Sequence, residues 1–265
     1  MGRSSSKIKS LRLHLAQFAS VNGQPLKTLA KVQALLEGRK IRAGDWVVFP
    51  EMWPAGFALG DRLRMEVENS FCFRWLKDFA KKKGSWMAGS MLEVKRGRFF
   101  NSAYVIAPDG SLAHHYRKIH LFKLGDEHRK FVPGSSSDVL PLAWGKLATA
   151  ICYDLRFPEL FRIYAKKGAT VVLVPSAWPR ERLDHFLTLL KARAIENQCF
   201  MVGVNKIGHH DSGIPYGGHS AVYGPWGEKL VEMGSGSAVR EIELELGEID
   251  RIRRDYPFLS SRVIR

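Results

Sequence analysis

Cysteine is scarce in this chain: three among 265 residues, Cys72, Cys152 and Cys199. Three scattered thiols cannot make a disulfide framework, and an odd number suits a reducing cytoplasm, the expected location. No secretory apolar stretch opens the sequence. Residues 1–10, MGRSSSKIKS, are polar and basic and are expected to form a flexible tail before a single domain spanning 11–265. No apolar run approaches the length of a bilayer span, so no membrane partner is expected. Internal repeats and inter-domain linkers are missing too. His114-His115 and His209-His210-Asp211 sit in no recognisable ligand spacing, and neither a metal nor a cofactor is expected. Acidic residues are outnumbered by basic ones, 26 to 41, for a net charge of +15. The basic residues are spread along the chain, with no zinc-finger, helix-turn-helix or RNP-like pattern among them. A nucleic-acid partner is therefore not expected, and the charge implies at most long-range attraction for an anionic small molecule.

What is present is an ordinary globular composition, 45% hydrophobic and 25% charged, in a chain long enough for a substantial core. Leu11, Leu13 and Leu15 alternate with polar residues as in a strand. Residues 25–40 read as a helix, and Phe71, Trp75 and Phe79 mark a second one that stops at Gly84. Strands are predicted at 46–50, 85–91, 99–107 and 111–116, the last two joined by the turn signal Pro108-Asp109-Gly110. Residues 123–138 read as an irregular loop. Strands at 146–151 and 170–175 flank a helix opened by Pro158 and closed by Gly168. A long helix over 181–197, strands at 199–205, 220–223 and 237–244, and a short helix with a basic tail complete the chain. This order predicts a layered α/β sandwich, either one doubly wound sheet or two sheets between helical layers.

Three strand ends carry reactive side chains. Glu51 follows the apolar run Trp46–Pro50, Lys118 follows the strand at 111–116, and Cys152 ends the run 146–151. Taken singly, these are a loop carboxylate, a surface ammonium and a packed thiol. Taken together, they are groups that a parallel or mixed sheet can bring to one edge. Cys152 also lies at a sharp strand-to-helix turn, the geometry by which other hydrolases present a nucleophile.

The chain resembles the nitrilase superfamily of carbon–nitrogen hydrolases. The matching text is FPEMWPAGF (49–57), YRKIHLF (116–122), AICYDLRFPELFR (150–162), LLKARAIENQCFMVGVNKIG (189–208), GHS (218–220) and PWGEKL (225–230). CYDLRFPEL and PSAWP (175–179) resemble the amidase branches, the omega-amidases acting on 2-oxo acid amides in particular. The resemblance implies a four-layer α-β-β-α sandwich and a homodimer or higher oligomer joined through the helices after Cys152 and after Trp178. It implies Glu51, Lys118 and Cys152 as catalytic residues, with Glu127 supporting them. The chemistry suits amide hydrolysis. A thiolate attacks, Glu51 takes and returns the proton, and Lys118 with the Tyr153 backbone N–H holds the oxyanion. Phe57, Ala177 and Trp178 are pocket candidates. Arg156 is either a carboxylate clamp or a brace for the turn. The expected reaction is hydrolysis of a small carboxylic omega-amide through a cysteine thioester, with release of ammonia. N-carbamoyl compounds, deaminated glutathione and nitriles are alternative substrates. A Cys-His hydrolase using His120 or His219 is the runner-up mechanism, and an anion- or nucleic-acid-binding protein with a vestigial site is the alternative of another class.

Overall fold

The computed structural model describes residues 10–60 and 62–263. The first half of the chain supplies β1 (Ser10–Gln17), α1 (Pro25–Leu36), β2 (Trp46–Val48), α2 (Arg62–Lys83), β3 (Trp86–Lys95), β4 (Arg98–Ile106) and β5 (Leu112–Arg117). The second supplies α3 (Glu127–Lys130), β6 (Leu140–Leu142), β7 (Gly145–Thr149), α4 (Pro158–Lys166), β8 (Val171–Ser176), α5 (Leu183–Asn197), β9 (Phe200–Asn205), β10 (Ala221–Tyr223), β11 (Lys229–Glu232), β12 (Ala238–Glu245) and α6 (Gly247–Asp255).

These strands form two six-stranded sheets, ordered β12-β1-β2-β3-β4-β5 and β11-β10-β9-β8-β7-β6. Side-chain alternation sorts the layers. Leu13, Leu15, Trp46 and Val48 from one sheet meet Leu147, Val171, Leu173, Phe200 and Val202 from the other in a shared core. The intervening residues point outward. Val47 and Met87 pack under α1 and α2 with Val32 and Leu76. Val172, Val174 and Met201 pack under α4 and α5 with Phe161, Phe186 and Leu190. Strands covered on both faces have no polar side, which explains their continuous apolar sequences. The result is the expected α-β-β-α sandwich.

Element boundaries differ from expectation where local signals are weak. Ser10 is the first residue of β1, so the ordered chain begins before 11; the rest of the expected tail, 1–9, lies outside the described residues. The first helix ends at Leu36 rather than at 40, because Glu37 is extended and Gly38 left-handed with φ of 69°. The second helix begins well before Phe71, along a polar stretch with no clear apolar stripe. The loop at 123–138 holds the single-turn helix α3.

In each sheet three central strands run parallel: β1, β2 and β3 in one, β7, β8 and β9 in the other. Their carboxyl ends lie at the same edge of the sandwich. That edge is where open α/β sheets bind ligands.

Candidate active site

Glu51 leaves the carboxyl end of β2, and its N–H reaches the Ser176 carbonyl at the end of β8 in the other sheet, 3.3 Å away. Lys118 is the first residue past β5, and its N–H donates to the Asn101 carbonyl at 2.9 Å. Its carbonyl accepts from the N–H of Gly134 at 2.8 Å. A Cβ on Gly134 would lie 2.2 Å from the Arg117 carbonyl oxygen, so only glycine lets the loop close over Lys118. Cys152 follows β7 in a left-handed conformation, φ 44°, and opens a 3₁₀ turn, Cys152–Arg156, before α4. A non-glycine residue held there marks local strain, a feature that clusters at functional sites.

Three ionisable side chains meet in a buried cluster. The Lys118 Nζ donates to Glu51 Oε1 at 2.8 Å and to Glu127 Oε1 and Oε2 at 3.0 and 2.8 Å. Lys118, Glu51 and Glu127 are 2%, 1% and 4% exposed, so this ion triad is screened from water. Asn101 on β4 binds both carboxylates through one amide nitrogen, at 2.8 Å to Glu51 and 3.1 Å to Glu127. Ser90 fixes the orientation of that amide by donating to Asn101 Oδ1 at 2.9 Å, while accepting the Met52 N–H at 2.8 Å. Glu127 Oε2 also accepts the Phe122 N–H at 2.7 Å, which ties the loop helix α3 to the strand end.

The Cys152 thiol belongs to the same cluster. Burial and the adjacent Glu51 carboxylate push its pKa well above the ordinary thiol range; Lys118 and a hydrogen bond from the Ala177 backbone pull the other way without prevailing. Burial alone would discharge Lys118, but Glu127 and Glu51 hold its pKa well above the usual lysine value. At neutral pH Cys152 therefore rests as the thiol and Lys118 as the ammonium. A thiol beside a carboxylate base, with a fixed cation at hand, can form an acyl adduct and stabilise a developing negative oxygen.

Asp154, fully buried two residues after Cys152, locks the turn to the Lys118 segment. It accepts from the Ile151 N–H at 2.9 Å, Tyr116 Oη at 2.7 Å and the His120 N–H at 2.9 Å, with His120 Nδ1 at 2.8 Å. Tyr116 and His120 flank Lys118, so the Cys152 turn and the lysine are positioned by one carboxylate. His120 Nδ1 is bound to Asp154 and His219 Nδ1 to Glu232 Oε1 at 2.8 Å, while the side chain hydrogen-bonded to the Cys152 thiol is Glu51.

The remaining candidates surround this cluster. Ala177 is buried against the Cys152 sulfur through its backbone. Tyr153 is the second residue of the 3₁₀ turn, where a backbone N–H has no partner within the turn. Trp178 lies largely in the core, its ring 5.6 Å from Phe186 and its indole N–H donating to the Arg182 carbonyl at 2.8 Å. The Arg156 guanidinium covers the Trp178 ring at 4.9 Å and contacts His185 Nδ1 at 3.2 Å. Phe57 packs on Phe131 and His210, 6.3 and 5.7 Å between centroids. Sequence reasoning missed Asn101, Ser90, Asp154, Lys206 and Tyr216. An asparagine inside the apolar strand Arg98–Ile106 was a usable signal, since asparagine is depleted in strands.

With this geometry in hand, similarity to known proteins can be stated. The family model described as carbon-nitrogen hydrolase matches residues 12–254. A 2-oxoglutaramate amidase of Bacillus subtilis (strain 168) is 36% identical over 243 residues, covering 91% of this chain and 93% of that protein. A "hydrolase in agr operon" of Staphylococcus aureus is 34% identical, covering 95% and 97%. Among solved structures, the CN-hydrolase superfamily protein XC1258 of Xanthomonas campestris, which carries an arsenic adduct in its active site, superposes with a TM-score of 0.89 at 28% identity, covering 97% and 98%. This chain belongs to the carbon-nitrogen hydrolase family.

Proposed function

We propose that this enzyme hydrolyses the terminal amide of a small 2-oxo acid omega-amide, with Cys152 as nucleophile, Glu51 as proton shuttle and Lys118 as oxyanion donor. The observation that carries the reading is the buried Lys118 ammonium held between two carboxylates, one of which also faces the Cys152 thiol. The similarity to a 2-oxoglutaramate amidase supports the choice of substrate.

Glu51 takes the thiol proton as sulfur attacks the amide carbon. The carbonyl oxygen becomes an oxyanion held by Lys118 and the Tyr153 N–H. The C–N bond then breaks, and Glu51 returns the proton to the departing nitrogen, which leaves as ammonia. Water attacks the thioester, giving its proton to Glu51; the C–S bond breaks and the thiolate recovers that proton as the acid departs. Every proton transfer uses one carboxylate, as general acid–base catalysis permits when its pKa is tuned. Glu127 keeps Lys118 charged and aimed. No step calls on a metal or cofactor. Arg156, seated on Trp178 near the nucleophile turn, is proposed to receive the substrate carboxylate, with Phe57 as a wall of the pocket.

We further propose a cytoplasmic homodimer of a single domain, joined through α4 and α5. Ile163 and Ile195 on these helices are 40% and 47% exposed, an apolar surface that a second copy would cover. Light scattering that finds a fully active monomer at micromolar concentration would remove the dimer from the proposal.

Ammonia release from a substrate panel tests the function. The expected order is 2-oxoglutaramate and 2-oxosuccinamate well ahead of neutral aliphatic amides, N-carbamoyl compounds and nitriles. Intact-mass spectrometry with a slow substrate should show an acyl adduct on the wild type and none on Cys152→Ala. Equal rates on neutral amides would refute the substrate; no adduct and undiminished turnover in Cys152→Ala would refute the mechanism.

A further inference from the structure

A second lysine is buried at the same edge. Lys206 is the first residue past β9, and only 1% of it is exposed. Its backbone N–H donates to the Ser176 carbonyl at 3.1 Å, the same oxygen that accepts the Glu51 N–H. Its Nζ crosses between the sheets and donates to the Met52 carbonyl at 3.3 Å. Met52 directly follows Glu51 and has a left-handed φ of 45°, so the chain turns sharply at the oxygen that Lys206 holds. Lys206 forms no ion pair with any described residue; beyond the Met52 carbonyl, its ammonium faces the Tyr216 ring at 5.8 Å. Lys118, by contrast, is matched with two carboxylates.

We propose that Lys206 is a positioning residue for Glu51: it clamps the turn after Glu51, and its charge favours the carboxylate form that accepts the Cys152 proton. The inference rests on the reading of Glu51 as the base. The charged and titratable groups facing Glu51 are Lys118 at the end of β5, Cys152 on the nucleophile turn, Tyr216 in the loop before β10, and Lys206; Glu127 shares Lys118 and Asn101 with it. Those facing Lys206 are Glu51, Asp211 and Tyr216. Burial brings the Lys206 ammonium down to about 8, against the pull of Glu51 and Asp211. It is therefore charged at neutral and acid pH. Tyr216, whose phenol burial pushes well up, stays neutral and contributes no opposing charge there.

The sign follows from the charge. A nearby cation lowers a carboxyl pKa, so removing it raises that pKa. In Lys206→Met the acid limb of kcat/KM should move to higher pH by roughly 0.5–1 unit, with a fall in kcat and little change in KM. Lys206→Arg keeps the charge and should keep the limb in place, even if altered reach lowers kcat. Lys206→Gln retains a donor for the Met52 carbonyl without charge; it should shift the limb as Met does, and it carries the comparison if the Met variant does not fold. An unmoved limb in both neutral variants would overturn the inference, and so would an equal shift in all three, since shape rather than charge would then be responsible. Glu51→Gln is measured alongside. If it retains wild-type turnover, the reading of Glu51 as base fails regardless of Lys206. If it is inactive while the neutral Lys206 variants keep the wild-type limb, the Lys206 inference fails alone.

Discussion

The two edges of the sandwich are built from the same strands and hold their charges in opposite ways. At the amino edge of the parallel strands, Trp46 and Trp86 stack with centroids 4.6 Å apart and planes within 4°, and Trp144 from the other sheet meets Trp46 edge-on at 6.2 Å. Beside them the buried Asp45 pairs with His14 at 2.9 Å and with Arg12 at 3.8 Å, and Arg12 continues to Glu241 at 3.2 Å. A cavity of about 390 Å³ opens there. At the carboxyl edge the thiol is kept protonated beside a carboxylate, one lysine is shared by two acids, and a second lysine rests on a carbonyl and a ring face. Buried charge is thus common to both edges. Of the two, the carboxyl edge is the one that combines a thiol, a carboxylate hydrogen-bonded to it and a strained turn that presents them.

The comparison breaks most sharply at the nucleophile. Cys152→Ala should reduce turnover to background while leaving the thermal midpoint close to wild type, since alanine keeps the Cβ and removes a single sulfur atom. Cys72 and Cys199 are also buried thiols, with pKa values pushed up to about 12 chiefly by burial, but no carboxylate base hydrogen-bonds either one. Alanine at either should spare kcat per folded molecule. Activity assays paired with differential scanning fluorimetry decide between these outcomes.

Next in size are the ion-triad variants. Glu51→Gln and Lys118→Met should each lower kcat by about 10²–10³-fold, the scale of one missing transition-state donor or base. Lys118→Met also leaves two carboxylates facing each other without their cation, so its stability should fall too. Glu51→Gln should be the better tolerated, because the amide keeps an acceptor for Asn101 and Lys118. Steady-state kinetics with urea unfolding on the same preparations separates the two effects.

Trp46→Ala tests the other edge. It should cost about 3–5 kcal/mol of stability, the usual penalty for emptying a large buried aromatic site, with kcat per folded molecule unchanged. A large fall in kcat without unfolding would mean that the two edges are coupled through β2.

How much of this was legible beforehand follows the range of the interactions. Glu51 and Cys152 each end a strand whose apolar run is visible locally, and Lys118 follows one marked by its hairpin turn, so the sequence shows the three strand ends and the resemblance joins them. Asn101 reaches Glu51 past β3 within one sheet, and Asp154 and Lys206 reach between the two sheets, through partners 50, 38 and 154 positions away, and no local pattern encodes that pairing. The strands that escaped reading, β6 and β11, are the outermost of their sheet, short and partly exposed. Pro141 argues against a central strand in β6 and is compatible only with such an edge position. Ser176 and Ala177 could be placed near the site from the resembled PSAWP segment, but not the use of the Ala177 backbone by the thiol.

Between the edges in expected effect lies Tyr116→Phe, which removes one donor from Asp154 and leaves the other three contacts intact. It should cost about 1 kcal/mol and lower kcat a few-fold by loosening the tie between the Lys118 segment and the nucleophile turn. A kcat unchanged while stability falls by that amount would confine Asp154 to a structural role.

The smallest effect belongs to Glu93, which accepts from Arg117, the neighbour of Lys118, and also from Ser102 at 2.6 Å and His115 at 3.0 Å. Burial opposes its ionisation, but the hydrogen bonds from Arg117, His115 and Ser102 outweigh burial and hold the carboxyl well below the usual range. A carboxyl depressed by folding contributes stability that is fully present above its unfolded pKa, about 4.3, and is lost as pH falls through its folded value. Glu93→Gln should therefore be less stable than wild type at pH 7, and the gap should shrink below about pH 4, where the unfolded wild-type chain takes up a proton that the folded carboxylate does not yet bind. Urea midpoints of both proteins at pH 7, 5, 4 and 3 give the test. A gap that stays constant across this range would assign the contribution of Glu93 to hydrogen-bond geometry alone, and the sharper electrostatics of the molecule would then be confined to the carboxyl edge.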